Sequence, residues 1–414
     1  MSQIPDIDLR EFIYELPTEQ IALYPLEKRD ESKLLKVDVS AEEISHFSFK
    51  NLPQLLPQNS LLVVNSTRVI HARIIMQKTS GGRAEVLCAE PLDEMTTALT
   101  LKGKSLWTCL VGGRKIEVGA VLKMSYNNLE LTAKIIEKNG TNAVVEFRWQ
   151  PEILTFAEVL EIAGKVPLPP YLKRDVESSD SERYQTVFSK EKGSVAAPTA
   201  SLHFSEEVLK ELLKKGIGRA DVTLHVGLGT FKPVEAEKIL DHAMHGEKLF
   251  VTRQTIETLL GHCTTGSLQD RGRLIAAGTT SVRTLESLYW WGVKLLQSEE
   301  VFKRKFLKVS QWESYFLEEE SDGIRQSDVF KKILEWMDFH GLQELSGETE
   351  IIIIPGYTFK IVNAIITNFH QPESTLILLV AAFMGKELWR KAYDEALKNN
   401  YRFLSYGDAS LLLK

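Results

Sequence analysis

Apolar and polar positions alternate along the chain in two different textures. Near the N-terminus, Leu9–Leu16 reads as a short helix, Lys33–Val39 as a strand, and Ser60–Val64 as a short buried strand ending at Asn65-Ser66-Thr67-Arg68. From about Val69 to Trp149, short β-type runs alternate with glycine turns, and Asn139-Gly140 between Leu131–Glu137 and Ala143–Trp149 is a hairpin signal. Strands at this spacing fit a small barrel or sandwich. After Pro151 the period changes. Ser205 is a suitable N-cap, Val208, Leu209, Leu212 and Leu213 form an apolar stripe, and Gly216 closes that helix. Asp221–Val226 alternates as a strand, and Leu274–Ala277 is a strand entering Gly278-Thr279-Thr280-Ser281 and a helix. Ile351–Ile354 and Ile361–Thr367 are continuous apolar runs, which suit strands covered on both faces.

This pattern predicts an α/β fold: a mixed-sheet main domain (residues 1–68 and 151–414) with a small β-barrel inserted at 69–150. A helix-rich stretch at about 290–349 reads as a further insertion. The length of 414 residues fits two domains. No run approaches the roughly 20 apolar residues of a membrane helix, and the N-terminus carries Asp6 and Asp8 without an apolar core. A cytoplasmic location is expected. Cys88, Cys109 and Cys263 form no Cys-x-x-Cys pair, so neither a disulfide framework nor a zinc knuckle is expected. The net charge of −6 means that any nucleic-acid contact needs a local basic patch.

Ligands of open α/β sheets bind beyond the carboxyl ends of strands. Three such crossings concentrate polar groups. In Val222–Phe231, His225 shares a face with Thr223, while Gly227 and Gly229 allow backbone to approach a ligand. His225 could serve as a general base, but its local pattern alone favours a buried structural histidine before a glycine turn. In Gly278–Glu286, Thr279 and Thr280 at a helix start make an anion site, or cap the helix. Arg283 either holds an anion there or pairs with Glu286 at i,i+3. Thr367–Thr375 gathers Asn368, Phe369, His370 and Glu373 in one loop. A fourth segment, Lys192–Phe204, is rich in small residues around Ser194 and Thr199, with His203 at its rim. His242, His245 and Glu247 are a weak metal pattern, and no metal is expected.

Taken in order, Tyr14–Pro17, Asn65–Arg73, Val166–Tyr171, Glu182–Phe204, Thr223–Val234, Met244–Glu247, Ala277–Glu286, Pro355–Tyr357, Thr367–Thr375 and Tyr406–Asp408 resemble the S-adenosylmethionine:tRNA ribosyltransferase-isomerase family of queuosine biosynthesis. The resemblance implies transfer and isomerisation of the ribosyl part of S-adenosylmethionine onto 7-aminomethyl-7-deazaguanine in a tRNA anticodon. The products would be epoxyqueuosine-tRNA, adenine and methionine. S-adenosylmethionine and tRNA are the implied partners. The cosubstrate is consumed, so no separate cofactor is expected, and a monomer is the default.

Under this resemblance His225, His203 and His370 are candidates for proton transfer, unranked among themselves. Thr279, Thr280 and Arg283 are candidates for the methionine carboxylate or a tRNA phosphate. Phe369 is a candidate stacking platform. Arg68, Ser194, Thr199, Gly227, Gly229 and Asn368 complete the substrate-binding set. The chain departs from the family at Ser66 and Ile13, where an aspartate is usual, at Ser201, where a glycine is usual, and at Gln371, where a leucine is usual. These departures leave two alternatives: an enzyme of the same fold with another acceptor, or a silent tRNA-binding paralogue. An ordinary methyltransferase is disfavoured, because no glycine-rich opening follows a first strand.

Overall fold

A computed structural model of the chain describes residues 4–227, 238–265 and 272–414. The N-terminal part supplies strands β1 (Lys33–Asp38), β2 (Glu43–Ser48), β3 (Leu61–Asn65) and β4 (Thr67–Val69). Six antiparallel strands follow: β5 (Arg73–Lys78), β6 (Arg83–Pro91), β7 (Lys104–Gly112), β8 (Val121–Tyr126), β9 (Leu129–Asn139) and β10 (Asn142–Gln150). They pair in the order β5-β6-β7-β10-β9-β8, and β8 returns to β5, closing a barrel. Closure leaves no free sheet edge among the six. The hairpin signal at Asn139-Gly140 lies between β9 and β10, with Gly140 at φ +59.

The barrel's interior extends past the boundary expected at residue 150. Helix Phe156–Ala163 packs into it, and the Phe156 ring lies 5.2–5.4 Å from those of Trp107, Phe147 and Trp149. A capping box starts this helix: Glu158 N–H donates to Thr155 Oγ1 (3.3 Å), and the Glu158 carboxylate accepts from Thr155 N–H (2.7 Å). The chain then adds β11 (Gly164–Lys165) against β5. The inserted unit therefore ends near Lys165.

The remaining strands are β12 (Glu191–Ser194), β13 (Gly218–His225), β14 (Glu247–Thr252), β15 (Leu274–Ala277), β16 (Leu307–Val309), β17 (Glu344–Thr349), β18 (Ala364–Asn368) and β19 (Ala409–Leu413). The main sheet runs β16-β17-β14-β13-β3-β15-β18-β19-β1-β2. Its centre, β13-β3-β15-β18, is parallel. Both faces of that centre are covered. In β3, Leu61 and Val63 join one core, while Leu62 and Val64 join the opposite one. This double burial explains the unbroken apolar runs.

The stretch at 290–349 is not purely helical. Its helices flank β16 and β17, which extend the main sheet beyond β14. Ile351–Ile354, expected as a strand, is buried but makes no ladder. Side chains satisfy much of its backbone instead. Arg283 Nε donates to Ile351 O, Tyr315 Oη to Ile352 O, and Ile354 N–H to Tyr315 Oη. Among the described residues, no helix is long and apolar enough to cross a membrane.

Helix Thr279–Gln297 is the spine of the larger core, and two of its contacts are demanding. Glu286 is fully buried and does not pair with Arg283. Its carboxylate accepts from Tyr357 Oη and from the N–H groups of Lys360, Ile361 and Val362, at 2.8–3.0 Å. Replacing Glu286 by Ala would orphan three backbone donors, at a cost of about 3 kcal/mol or more. A urea unfolding midpoint nearly equal to wild type would contradict this. At Gly292, an added Cβ would come within 2.3 Å of Val329 Cγ1. We expect Gly292→Ala to destabilise by about 1–3 kcal/mol, despite the roughly 1 kcal/mol gain in helix propensity. A compensating Val329→Ala should recover part of that loss in the same measurement.

Candidate functional site

The parallel centre brings four strand ends to one edge. One buried side chain ties three of the elements there. Asn65 Nδ2 donates to Leu224 O (2.9 Å) and Thr280 Oγ1 (3.3 Å), and its Oδ1 accepts from the N–H groups of Leu224 and Thr67 (both 3.1 Å). Ser194 does similar work next to it. It donates to Ala196 O (2.7 Å) and accepts from Val226 N–H (3.0 Å), fastening the small-residue segment across the end of β13. The result is a crevice lined by Ala196–Ala200, Val226, Gly278–Thr280, Thr367–Gln371, Ser374, Tyr171, Leu404 and Ser405. Three of the crossings singled out in the sequence thus meet the fourth segment in one place.

Two helices begin at this crevice. Helix Thr279–Gln297 starts after Gly278 at φ +90, and helix Thr375–Met384 after Ser374. Neither has a side-chain cap, and the buried Ser374 Oγ has no partner among the described residues. Uncapped helix N-termini offer free N–H groups and the positive end of the dipole. The crevice therefore favours a negatively charged ligand group at Thr279, Thr280 or Ser374.

The structure separates the three histidines. His370 lines the crevice. Its backbone is fixed by Tyr393 and Tyr14, whose hydroxyls bond its N–H and C=O, and its Nε2 is 2.9 Å from Thr367 Oγ1. Burial holds it down to about 4, so it is neutral at pH 7. His203 lies behind Asn368 and does not line the crevice. It stacks on Phe49 at 5.1 Å, and its Nδ1 is 2.8 Å from Ser32 Oγ. Burial also brings His203 to about 4; Asn368 opposes the shift, while Arg402 and Arg29 add to it. His225 is on the face of β13 opposite Val226. Its ring lies against Gly193 and Phe250, with Nδ1 2.8 Å from Thr67 Oγ1, and burial and Lys248 lower it to about 4.

The other expected site residues divide similarly. Thr199, Thr279, Thr280 and Asn368 line the crevice. Asn368 is buried and donates to Leu404 O (2.9 Å) and Ser405 O (3.3 Å), which fixes the far wall. Phe369 contributes to the wall, but its ring is not an open stacking platform. It is buried against Tyr393, Tyr401 and Phe403, at 4.9–5.6 Å. Arg283 is buried away from the crevice and paired with Glu247, so its charge is already matched. That pairing also occupies the carboxylate of the weak metal pattern. Arg68 is exposed on β4, and Ser194 is a buried structural pin. Gly227 is half-buried near Glu90, and Gly229 lies outside the described residues, as does the end of the Val222–Phe231 run.

The lining residues that sequence reasoning did not name as site members include Ser374, Tyr171, Leu404 and Ser405. Ser374 is legible only as a helix start. Tyr171 follows the rigid Pro167–Pro170 connector, and its hydroxyl is 2.5 Å from Ser405 Oγ. Leu404 sits at φ +70, a backbone state that its residue type gives no reason to expect. Of the departures, Ser66 and Ser201 fall outside the crevice, whereas Gln371 lines it. Ser66 is buried at the strand junction, with Oγ 3.0 Å from Thr223 Oγ1, and Ser201 is buried in the helical turn Thr199–His203.

The crevice can be set beside known proteins. A family profile described as queuosine biosynthesis protein matches residues 9–412. A curated relative from Natranaerobius thermophilus, named S-adenosylmethionine:tRNA ribosyltransferase-isomerase, is 38% identical over 407 residues, covering 98% of this chain and 99% of its own. A crystal structure of an S-adenosylmethionine tRNA ribosyltransferase from Thermotoga maritima is 28% identical, covers 97% of this chain and 100% of that one, and superposes with a TM-score of 0.46. That superposition is too loose to carry positions across. The profile and the curated relative both run through every element that builds the crevice, and the chain belongs to the queuosine biosynthesis family that includes the S-adenosylmethionine:tRNA ribosyltransferase-isomerases.

Proposed function

We propose that this chain is an S-adenosylmethionine:tRNA ribosyltransferase-isomerase working in the cytoplasm as a monomer. It joins the ribosyl part of S-adenosylmethionine to 7-aminomethyl-7-deazaguanine in tRNA and releases adenine and methionine. The carrying observation is the crevice itself, where two uncapped helix N-termini and a neutral histidine converge within a family fold. S-adenosylmethionine is consumed, so the reaction needs no separate cofactor.

The chemistry distributes over these groups as follows. The sulfonium acidifies the hydrogens on the adjacent ribose 5′ carbon, and a base removes one. His370 is unprotonated at pH 7 and lines the crevice, so it is the residue assigned to that transfer. The Thr279–Thr280 helix start holds the methionine carboxylate. The departing adenine needs a hydrogen-bond donor, and the Ser374 hydroxyl is buried in the wall without a partner among the described residues.

The deciding assay combines the protein, S-adenosylmethionine and tRNA bearing the aminomethyl-deazaguanine base. Adenine together with a mass-shifted base supports this reading. Adenine only with another acceptor indicates the paralogue, and tRNA binding without turnover indicates the silent one. In that assay His370→Ala should lower the single-turnover rate about 100-fold or more, with S-adenosylmethionine binding nearly unchanged. A larger loss in His225→Ala would move the proton transfer to the other face of β13. The pH profile gives a second check. The pKa of His370 is depressed, so its neutral form persists from neutral pH down to about 4. The rate per enzyme should stay level on acidification from pH 7 to 5 as far as this group is concerned. An acid limb near the ordinary histidine value of 6.5 would assign the step to a more exposed group.

A further inference from the structure

Beside the crevice is a second, smaller opening, lined by Arg29, Arg183, Arg402 and His203, among others. It shares Ser405 with the crevice wall. Three arginines thus line an opening next to the crevice in which the transfer is proposed to occur. Among the described residues, no carboxylate lines this opening.

The charges are unevenly matched. Arg402 is 3.5 Å from Asp408. The hydrogen bonds of Arg29 go to backbone carbonyls, of Gln185 (2.8 Å) and Glu182 (3.4 Å). Those of Arg183 also go to carbonyls, of Glu27 (3.0 Å) and Leu26, and its Nε is buried with no partner among the described residues. Asp180 reaches the wall through the Tyr406 hydroxyl (2.9 Å), but Arg174 grips both its oxygens at 2.7 Å. Its charge is therefore matched elsewhere. Arg29 and Arg183 are close enough that the charge of Arg183 adds to burial in lowering the Arg29 pKa, and the nearby Glu182 charge opposes that shift without reversing it.

Carbonyl partners orient a guanidinium without neutralising it. Each Arg carries five donors, so both retain donors for a ligand. Two like charges held together in a partly buried wall are favoured when an anion with several oxygens lies between them. The space suits a phosphate group better than a nucleoside. The geometry points to a phosphodiester subsite: Arg29 and Arg183 hold a backbone phosphate flanking the nucleotide whose base enters the crevice. This inference rests on the tRNA acceptor proposed above. Neutral His203, touching Ser32 on one side and acted on by Asn368 on the other, forms the partition between phosphate and base.

The test uses the full-length protein and an anticodon stem-loop carrying the aminomethyl-deazaguanine base, with a neutral methylphosphonate in place of one or the other flanking phosphate. Arg183→Gln should weaken stem-loop binding about tenfold and reduce the slope of log K against log salt by about one. S-adenosylmethionine binding and the melting temperature should stay near wild type, and Arg183→Lys should retain more affinity than Arg183→Gln. For wild type, the neutral linkage at one flank should cause a similar loss. Combined with Arg183→Gln, it should cause a smaller further loss than in wild type, because only the Arg29 contact then remains to be lost. Multiplying losses, or no loss with either neutral linkage, would overturn the subsite and leave the acceptor intact. A wild-type protein that does not bind the stem-loop would overturn the acceptor and the subsite together.

Discussion

The Asn65 amide holds three elements at once: the end of β3, the end of β13 through the Leu224 backbone, and the start of helix Thr279–Gln297 through Thr280. It has no exposed surface, so each of its hydrogen bonds is made where water cannot substitute. Loss of this side chain would leave Leu224 N–H and O without those partners at the edge from which the crevice is built. A parallel sheet brings its strand ends together on one side. It does not fix their relative height to the fraction of an ångström that a binding wall needs. Asn65 and Ser194 supply that precision, and neither lines the crevice itself.

Burial then sets the chemistry. The three histidines from the matching segments are all lowered, with desolvation the largest cause in each case. They differ in what they face. His203 is enclosed by protein groups, His225 is half-buried on the face of β13 turned from the crevice, and His370 borders the crevice. The electrostatic character of the crevice comes from backbone: two helix starts without side-chain caps, whose N–H groups remain available. The full charges near them, Arg283 and Glu286, are withdrawn into internal partnerships. A cationic sulfonium ligand would therefore meet backbone and hydroxyl dipoles at the wall, with no guanidinium in it among the described residues.

Much of this was legible in the sequence, and the misses share a cause. Leu274–Ala277 was expected as a strand and is β15, and Ser205 caps its helix by accepting from Val208 N–H at 3.2 Å. Local pattern decides both. The texture of the sequence puts the barrel boundary at residue 150, because periodicity does not reveal which core receives the helix Phe156–Ala163. Ile351–Ile354 has the composition of a strand but finds its partners in side chains distant in sequence. Arg283 has Glu286 at helical spacing, yet Glu247 lies closer in space. The ring of Phe369 belongs to an aromatic cluster assembled from three residues beyond position 390. Each miss is a tertiary contact overriding a local signal.

The Val222–Phe231 run shows how one strand can serve both outcomes. Alternation places Val226 toward the crevice and His225 away from it, as the period of two requires. The residue most noticeable in the sequence is thus the one turned from the wall, while its quieter neighbour forms part of it. Gly193 explains why that is tolerated: a Cβ there would stand 2.7 Å from His225 Nε2, so the small-residue segment can cross the strand end only where a glycine faces the ring. The same segment then supplies Ala196–Ala200 to the crevice. His225 and the crevice are linked through this packing, and the imidazole helps determine where the wall can lie.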